Sequence, residues 1–254
     1  MRRLRGWLSG ILVLAVASGA GAQGVGPSGE GGKQQEDPIK AAIEKFQKEY
    51  GEGQKKKDEN MRATALDVFN GMCQDKKVVE IVGKVLSTSS ETVMVKIKAA
   101  TLLGQSGNPM AIATLEKAFG QNEKNDAAME IVRQIGGLQD KSAVKTLEKI
   151  IRPRINRFDD EKACGIARAG IDALSRQRFI ETVEALIKLF EPVVSGKPAA
   201  DATIPPEEAE KEGQRNQSEG ALLAALSGLT GQTLQTYDEW KQWWSKNKKT
   251  FKLE

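Results

Sequence analysis

The sequence of 254 residues predicts an all-α fold, arranged as an α-solenoid of about five helix pairs. After Pro38, apolar residues recur at helical spacing, and signals for helix starts and stops lie between the apolar runs. In addition, one helix–turn–helix pattern repeats along the chain. No stretch of useful length alternates apolar and polar residues as a half-buried strand would. We therefore expect a single helical domain over residues 37–254.

Apolar residues spaced three or four apart predict one buried face on each of four successive helices. A shorter helix over residues 38–50, with Ile39, Ile43 and Phe46 turned inward, is expected to cap the start of the array. The predicted core faces are Val95, Ala99, Leu102 and Leu103; Ile112, Leu115 and Phe119; Ala128, Ile131, Val132 and Ile135; and Ala143, Leu147, Ile150 and Ile151.

Residues that favour helix ends lie between these faces. Asn108 followed by Pro109 is an N-terminal cap signal, and Asp140 is its counterpart one unit later. Asp58 and Asp75 are predicted to cap earlier helices. Helices are expected to end at glycines, which are Gly104, Gly107, Gly136 and Gly137.

A repeated unit organises the chain. Residues 103–119 align without a gap with residues 135–151, and both contain Ala-[Ile/Val]-x-Thr-Leu-Glu-Lys. The pattern recurs about one unit earlier at residues 79–86 and one unit later at residues 183–190, after an insertion at 153–161. A fifth, divergent unit covers residues 219–251. Repeats of this length are typical of stacked helix pairs.

These residues resemble the HEAT repeat, in particular the short bacterial HEAT-like repeats of the phycobilisome-lyase type. Leu103 to Leu115 follows the pattern apolar-x-x-Leu-Gly-x-x-Gly-[Asp/Asn]-x-x-Ala-[Val/Ile]-x-x-Leu closely, and Ile135 to Leu147 follows it well. The resemblance implies a right-handed superhelix that serves as a binding scaffold, with the second helix of each pair on the concave face. Leu-Thr-Gly followed by Trp-x-x-Trp-Trp-x-x-Asn is similar to the terminal unit of many exported bacterial HEAT-repeat proteins.

The first 22 residues have the pattern of a signal peptide. Arg2, Arg3 and Arg5 precede a short apolar run over 11–17, and small residues follow, so we expect cleavage after Ala22. A retained membrane anchor is the alternative, but it needs about 20 apolar residues. Residues 23–36 are predicted to be a disordered tether. The protein is therefore expected in the periplasm, cell envelope or extracellular space, with no membrane span after cleavage.

Charge and composition exclude several functions. Loss of the three leader arginines reduces the formal charge of +4 to about +1, too low for a nucleic-acid binder. The chain has no histidine, which argues against catalytic triads, proton shuttles and nearly all zinc or iron sites, including that of the HEAT-like di-iron hydroxylase. We expect no cofactor and no catalysis, and a HEAT-like lyase is the weakest alternative.

Other polar groups favour structural roles. Cys73 and Cys164 are predicted to be buried, unpaired thiols, because the repeats place them too far apart for a disulfide. The acidic runs 159–161 and 207–208 are interpreted as helix starts, with Asp159 as an N-cap, rather than as carboxylate pairs for acid–base chemistry. A proline-rich excursion is expected over residues 191–217, either as a functional loop or as a tolerated insertion.

Four lysines occupy the same repeat position, and we call Lys84, Lys117, Lys149 and Lys188 the lysine ladder. Each follows an inner Leu or Val by two residues, which places it away from the core face. The ladder could bind an extended acidic partner, such as a polypeptide or an anionic envelope polymer. The alternative is a solvated face, since neighbouring glutamates partly cancel its charge: Glu80, Glu116, Glu148 and Glu184.

The remaining candidate is an aromatic cluster in the C-terminal unit at 219–254, formed by Tyr237, Trp240, Trp243 and Trp244. A capping-box pattern at Thr236 and Glu239 begins its helix. The three indoles share a helix face, and they either cap the end of the core or form a platform for a glycan or peptide. The favoured function is a non-catalytic scaffold for a protein partner. A glycan or anionic-polymer module and a self-associating envelope component are the alternatives.

Overall fold

The computed structural model describes residues 37–198 and 205–253, and this part of the chain falls in the unit Glu36–Glu254. The predicted signal peptide at 1–22 and the tether at 23–36 lie outside the described residues. Within the described ranges the chain forms eleven α-helices, one short 3-10 helix and no strand, so the all-α prediction is confirmed. None of these described helices combines the length and the apolar run that a membrane crossing needs.

The helices are short, and most of them are 11 to 15 residues long. The first described helix is longer, and a second long helix precedes the last one. In order, they are α1 (Pro38–Lys56), α2 (Glu59–Ala65) followed by the 3-10 helix (Leu66–Phe69), α3 (Lys76–Ser87), α4 (Val93–Gln105), α5 (Met110–Asn122), α6 (Ala127–Gly137), α7 (Lys141–Ile151), α8 (Glu161–Ser175), α9 (Ile180–Val194), α10 (Pro206–Thr230) and α11 (Tyr237–Asn247).

Helices two apart in sequence pack side by side and form two layers. The first layer contains α2, α4, α6, α8 and α10, and each of these helices contacts the next one in the layer. The second layer contains α3, α5, α7, α9 and α11 in the same way. Helix α1 packs on α2 at the start of the array. The aligned repeats over 103–119 and 135–151 therefore each cover the end of a first-layer helix and most or all of its second-layer partner.

The core lies between the two layers. Every residue of the four predicted core faces is buried, which follows from the helical spacing of those residues. In α1, Phe46 is buried, and Ile39 and Ile43 are partly buried against the core, in agreement with the expected cap helix. Helix α1 continues six residues beyond the predicted end at residue 50, to Lys56.

Four helix starts have the side-chain caps that the sequence predicts. The side-chain oxygen of each cap accepts a hydrogen bond from a backbone N–H in the first turn, at 2.8 to 3.0 Å. This leaves one fewer unsatisfied donor at each helix end. The caps are Asp58, Asp75, Asn108 and Asp140.

One predicted cap is wrong. Asp160, not Asp159, caps α8, because its Oδ1 accepts a hydrogen bond of 2.8 Å from the Ala163 N–H. The helix begins at Glu161, so Asp159 is one residue too early for its carboxylate to reach the first-turn amides.

The expected excursion over 191–217 is much shorter in the structure. Helix α9 continues to Val194 with Pro192 in its last turn, and α10 begins at Pro206 and runs for 25 residues. The polar segment after Pro206 is therefore helical. Proline at the first helical position and glutamates in the first turn both favour this helix start.

Glycines allow the layers to pack closely. A Cβ atom on Gly136 in α6 would lie 2.5 Å from the Ala173 Cβ and 2.8 Å from the Ala173 Cα in α8. In the second layer, a Cβ atom on Gly83 in α3 would collide with the Thr114 side chain of α5. At Gly136 only glycine fits without a shift of the neighbouring backbone, whereas a Cβ atom at Gly83 would require the Thr114 side chain to move.

Hydrogen bonds from side-chain amides connect neighbouring units of the array. Asn108 Nδ2 donates a hydrogen bond of 3.0 Å to the Cys73 carbonyl oxygen, and Gln177 Nε2 donates one of 2.8 Å to the Gly136 carbonyl oxygen. Both amides are buried, and each spans roughly one repeat of sequence. They satisfy the Gly136 carbonyl in the last turn of α6 and the Cys73 carbonyl in the turn before α3.

Candidate partner-binding surface

The lysine ladder lies on the second layer, with Lys84 on α3, Lys117 on α5, Lys149 on α7 and Lys188 on α9. All four lysines are exposed. Each follows a fully buried residue by two positions, a turn of about 200° around the helix. Those buried residues are Val82, Leu115, Leu147 and Leu186. The repeat therefore places one cation on the outer side of four neighbouring helices.

Two of the ladder lysines form ion pairs and two do not. Lys149 Nζ lies 2.5 Å from Glu116 Oε1 on the neighbouring helix, and Lys188 Nζ lies 2.8 Å from Glu184 Oε1. Lys84 and Lys117 have no ion-pair partner among the described residues. The hydrogen bond from Lys149 holds the pKa of the Glu116 carboxyl below its usual value. The field of the ladder is therefore strongest at α3 and α5.

The other two predicted neutralising glutamates have partners outside the ladder. Glu80 lies 3.9 Å from the Lys76 amine, and Glu148 pairs with Arg152. Both pairs join residues four apart on one helix, at exposed or half-exposed positions where such pairs add little stability. They reduce the charge near the ladder without directly neutralising its lysines.

The aromatic cluster lies at the end of the core. Trp240 is fully buried and donates its indole N–H to a backbone carbonyl at 3.1 Å, and Trp244 is 7 % exposed. Trp243 is half-buried. Tyr237 packs edge-on against Phe190 of α9 with ring centroids 5.9 Å apart. Burial of two of the three indoles favours the capping role and leaves little ring surface for a glycan.

The capping box that begins α11 is confirmed. The Thr236 hydroxyl accepts a hydrogen bond of 3.3 Å from the Glu239 N–H, and the Glu239 carboxylate accepts one of 3.0 Å from the Thr236 N–H. Hydrogen bonds from the Gln235 and Thr236 N–H groups to its carboxylate hold the pKa of Glu239 below its usual value. The helix that carries the aromatic residues therefore has a capped N-terminus, and it packs on α9.

A buried polar network at the start of the array is not apparent from the sequence. Arg62 on α2 donates two hydrogen bonds of 3.1 Å from Nε and one of 2.9 Å from Nη2 to the Glu91 carboxylate. Tyr50 on α1 donates its hydroxyl to the same carboxylate, and so does the Thr92 N–H at 2.8 Å. Because every group is paired, the network links three elements rather than presenting reactive groups.

The remaining candidates for chemistry are metal-ligand side chains and the two cysteines. Within the described ranges, no group of three or more metal-ligand side chains is close enough to hold an ion. Cys73 and Cys164 are both buried and free, as predicted. Burial raises the pKa of the Cys73 thiol to about 11 and also raises that of Cys164. Both thiols are therefore protonated at neutral pH and weakly nucleophilic.

No protein-family model matches the chain, and no curated protein matches it.

Proposed function

We propose that this protein is a non-catalytic, HEAT-like α-solenoid that is exported to the periplasm or cell envelope and binds a protein partner on its second layer. The observation that supports this function is the lysine ladder, with one exposed cation on each of four adjacent helices. Surface lysines are common, but a cation at the same repeat position of four successive units gives a periodic surface. Periodic surfaces of this kind suit extended partners.

Two features support the solenoid itself. Helices two apart in sequence are neighbours throughout both layers, so each unit contacts mainly the units before and after it. The sequence repeat coincides with this structural repeat. Stacking of that kind buries a continuous core that a single helix pair would leave open.

The spacing of the ladder fits an extended acidic segment. Neighbouring packed helices lie about 8–10 Å apart, and a polyproline II segment advances about 3.1 Å per residue with three residues per turn. A carboxylate on every third residue of such an extended segment would therefore face one lysine per helix. The two ladder lysines that already pair with glutamates are exposed, and such pairs contribute about 0–1 kcal/mol. They can exchange their partner at little cost.

The test compares capture of partners from the native envelope by three forms of the protein. The ladder variant carries Lys84→Glu, Lys117→Glu, Lys149→Glu and Lys188→Glu. The control variant carries the same change at four exposed lysines elsewhere: Lys48, Lys55, Lys246 and Lys249. Both variants change the net charge equally, and circular dichroism verifies that both are folded.

We expect the wild type and the control variant to retain the same protein and the ladder variant to lose it. Protease treatment of the captured material separates a protein partner from an anionic polymer, because only a protein disappears. Equal capture by all three forms would show that the ladder is a solvated face. Loss in both variants would show only a dependence on net charge, and it would also refute the proposed surface.

A further inference from the structure

A groove lies on the exposed side of the first layer, between α8 and α10. Its volume is about 380 Å³. Ile171 of α8, which is buried, forms part of its floor. The lining from α10 consists only of small residues, which are Ala221, Ala224, Ala225 and Gly228. Because these side chains are short, another helix can approach α10 closely along the groove.

The groove has an excess of positive charge. It is lined by Arg168 and Arg178, and neither arginine has an ion-pair partner among the described residues. Arg168 Nη1 donates a hydrogen bond of 2.6 Å to the uncharged Gln214 side chain, and the Arg178 side chain is exposed. The one carboxylate in the lining, Asp172, already pairs with Arg176. An occupant that supplies a carboxylate near Arg178 would therefore complement the groove.

Helix α10 carries such a carboxylate at its other end. Glu210 is exposed, and within the described ranges no cation pairs with it. Gly228 follows Glu210 by 18 residues, which is five complete turns, so both residues lie on the same side of α10. Along one helix they remain about 27 Å apart. A second copy of the chain is therefore needed to bring Glu210 to the Arg178 end of the groove.

Antiparallel pairing of two α10 helices provides this contact. A two-fold axis at the level of residue 219 places Glu210 of each copy opposite Gly228 of the other copy, beside the Arg178 that lines the same groove. The residues of this side of α10 between Glu210 and Gly228 are uncharged, so no like charges meet at the axis. They include Gly213, Gln217, Gly220 and Ala224.

We propose that the groove between α8 and α10 is a homodimer interface that receives α10 of a second copy in the antiparallel direction. The pair between Arg178 of one copy and Glu210 of the other forms twice, once on each side of the axis. The interface consists of one helix pair with its flanking arginines, so we expect dissociation in the micromolar range. The second layer stays free in both copies, and the dimer would present two lysine ladders.

The experiment is sedimentation velocity of the purified protein from micromolar to near-millimolar concentration. Two variants reverse one charge each, Arg178→Glu and Glu210→Arg. A third variant carries both changes, which restores opposite charges across the axis and leaves the net charge unchanged. The control is Lys246→Glu, which matches the charge change of Arg178→Glu at an exposed position on α11. Both interface positions are exposed as well, and thermal melts verify that every variant is folded.

We expect a wild-type dimer that each single reversal weakens at least about tenfold, because the symmetry repeats the repulsive contact. The double variant should dimerise within about threefold of the wild type, and so should Lys246→Glu. A wild type that stays monomeric over the whole range would overturn the interface. A dimer that ignores the single reversals, is not restored in the double variant, or weakens equally in Lys246→Glu would also overturn it.

Discussion

Arg62 and Glu91 form the most buried ion pair described in the structure, and its removal gives a sharp test of how the array begins. The pair joins α2 to the segment before α4, and its side chains are only 10 % and 3 % exposed. The perturbation is Arg62→Ala. It leaves the Glu91 carboxylate buried, with only the Tyr50 hydroxyl and the Thr92 N–H as donors.

The expected loss of stability is large because one partner of a buried pair is removed while the other keeps its charge. Such changes cost about 3–5 kcal/mol. The three hydrogen bonds from the guanidinium to Glu91 place this pair at the well-formed end of the range. Lys141→Ala is the control. Lys141 pairs with Glu181 at 2.6 Å, but both side chains are about half exposed or more, so we expect a loss of less than about 1 kcal/mol.

The pH dependence provides a second signature. Burial alone would raise the pKa of Glu91, but hydrogen bonds from Arg62 and Tyr50 outweigh burial and hold it below its usual value. The wild type therefore has this stabilisation in full above the unfolded pKa, near 4.5, and loses it as the pH falls through the lower folded pKa. In Arg62→Ala, burial is no longer offset by the guanidinium, so acid protonates Glu91 and relieves the penalty. The stability gap between the two proteins should narrow from pH 7 towards pH 4.

Urea unfolding followed by circular dichroism measures these effects, with a double-mutant cycle of Arg62→Ala and Glu91→Ala. We expect a coupling energy of about 2 kcal/mol between the two sites. A single-variant loss below about 1 kcal/mol, additive losses in the cycle, or a gap that does not change with pH would each refute the reasoning.

Three further predictions concern packing and caps. Gly136→Ala should destabilise the protein by about 1–3 kcal/mol, because the backbone of α8 blocks the new methyl group. Gly120→Ala, at an exposed position in α5, should stabilise the protein by about 0.5–1 kcal/mol. The midpoints of urea unfolding show whether each change raises or lowers the stability. Asn108→Ala should lose about twice as much stability as Asp140→Ala, because Asn108 both caps α5 and donates a hydrogen bond to the Cys73 carbonyl. Thermal melts of the two variants compare these losses. Trp240→Ala should cost about 3–5 kcal/mol by urea unfolding, as expected for a fully buried indole.

The repeat and its apolar spacing were enough to predict the helices, their core faces and the exposure of the ladder. Periodicity identifies the buried side of a helix without reference to its neighbours, so Leu147 inside and Lys149 outside follow from the same pattern. The cap of α8 failed because two adjacent aspartates offer the same chemistry. Only the position of the first helical turn decides between Asp159 and Asp160.

Features that depend on contacts between distant residues could not be predicted. Arg62 and Glu91 are 29 residues apart and outside the repeat, so no spacing rule connects them. Arg215 lies in a segment whose four prolines suggested a loop, and its stacking on Phe158 appears only once α10 is placed. The sequence did give a weak indication that Arg152 lies beside the ladder, because it follows the ladder residue Lys149 by about one helical turn.

The close packing of the layers bears directly on the proposed binding surface. Gly136 permits close approach of α6 to the backbone of α8, and Gly83 in α3 accommodates the Thr114 side chain of α5, so buried contacts rather than surface side chains set the helix spacing. The distance between successive ladder lysines is therefore a property of the core, and it varies little as surface residues change. A partner whose acidic residues match that period can contact several units at once, whereas a partner of the same charge but different period contacts few. Selectivity then depends on the spacing of the partner's acids more than on their number.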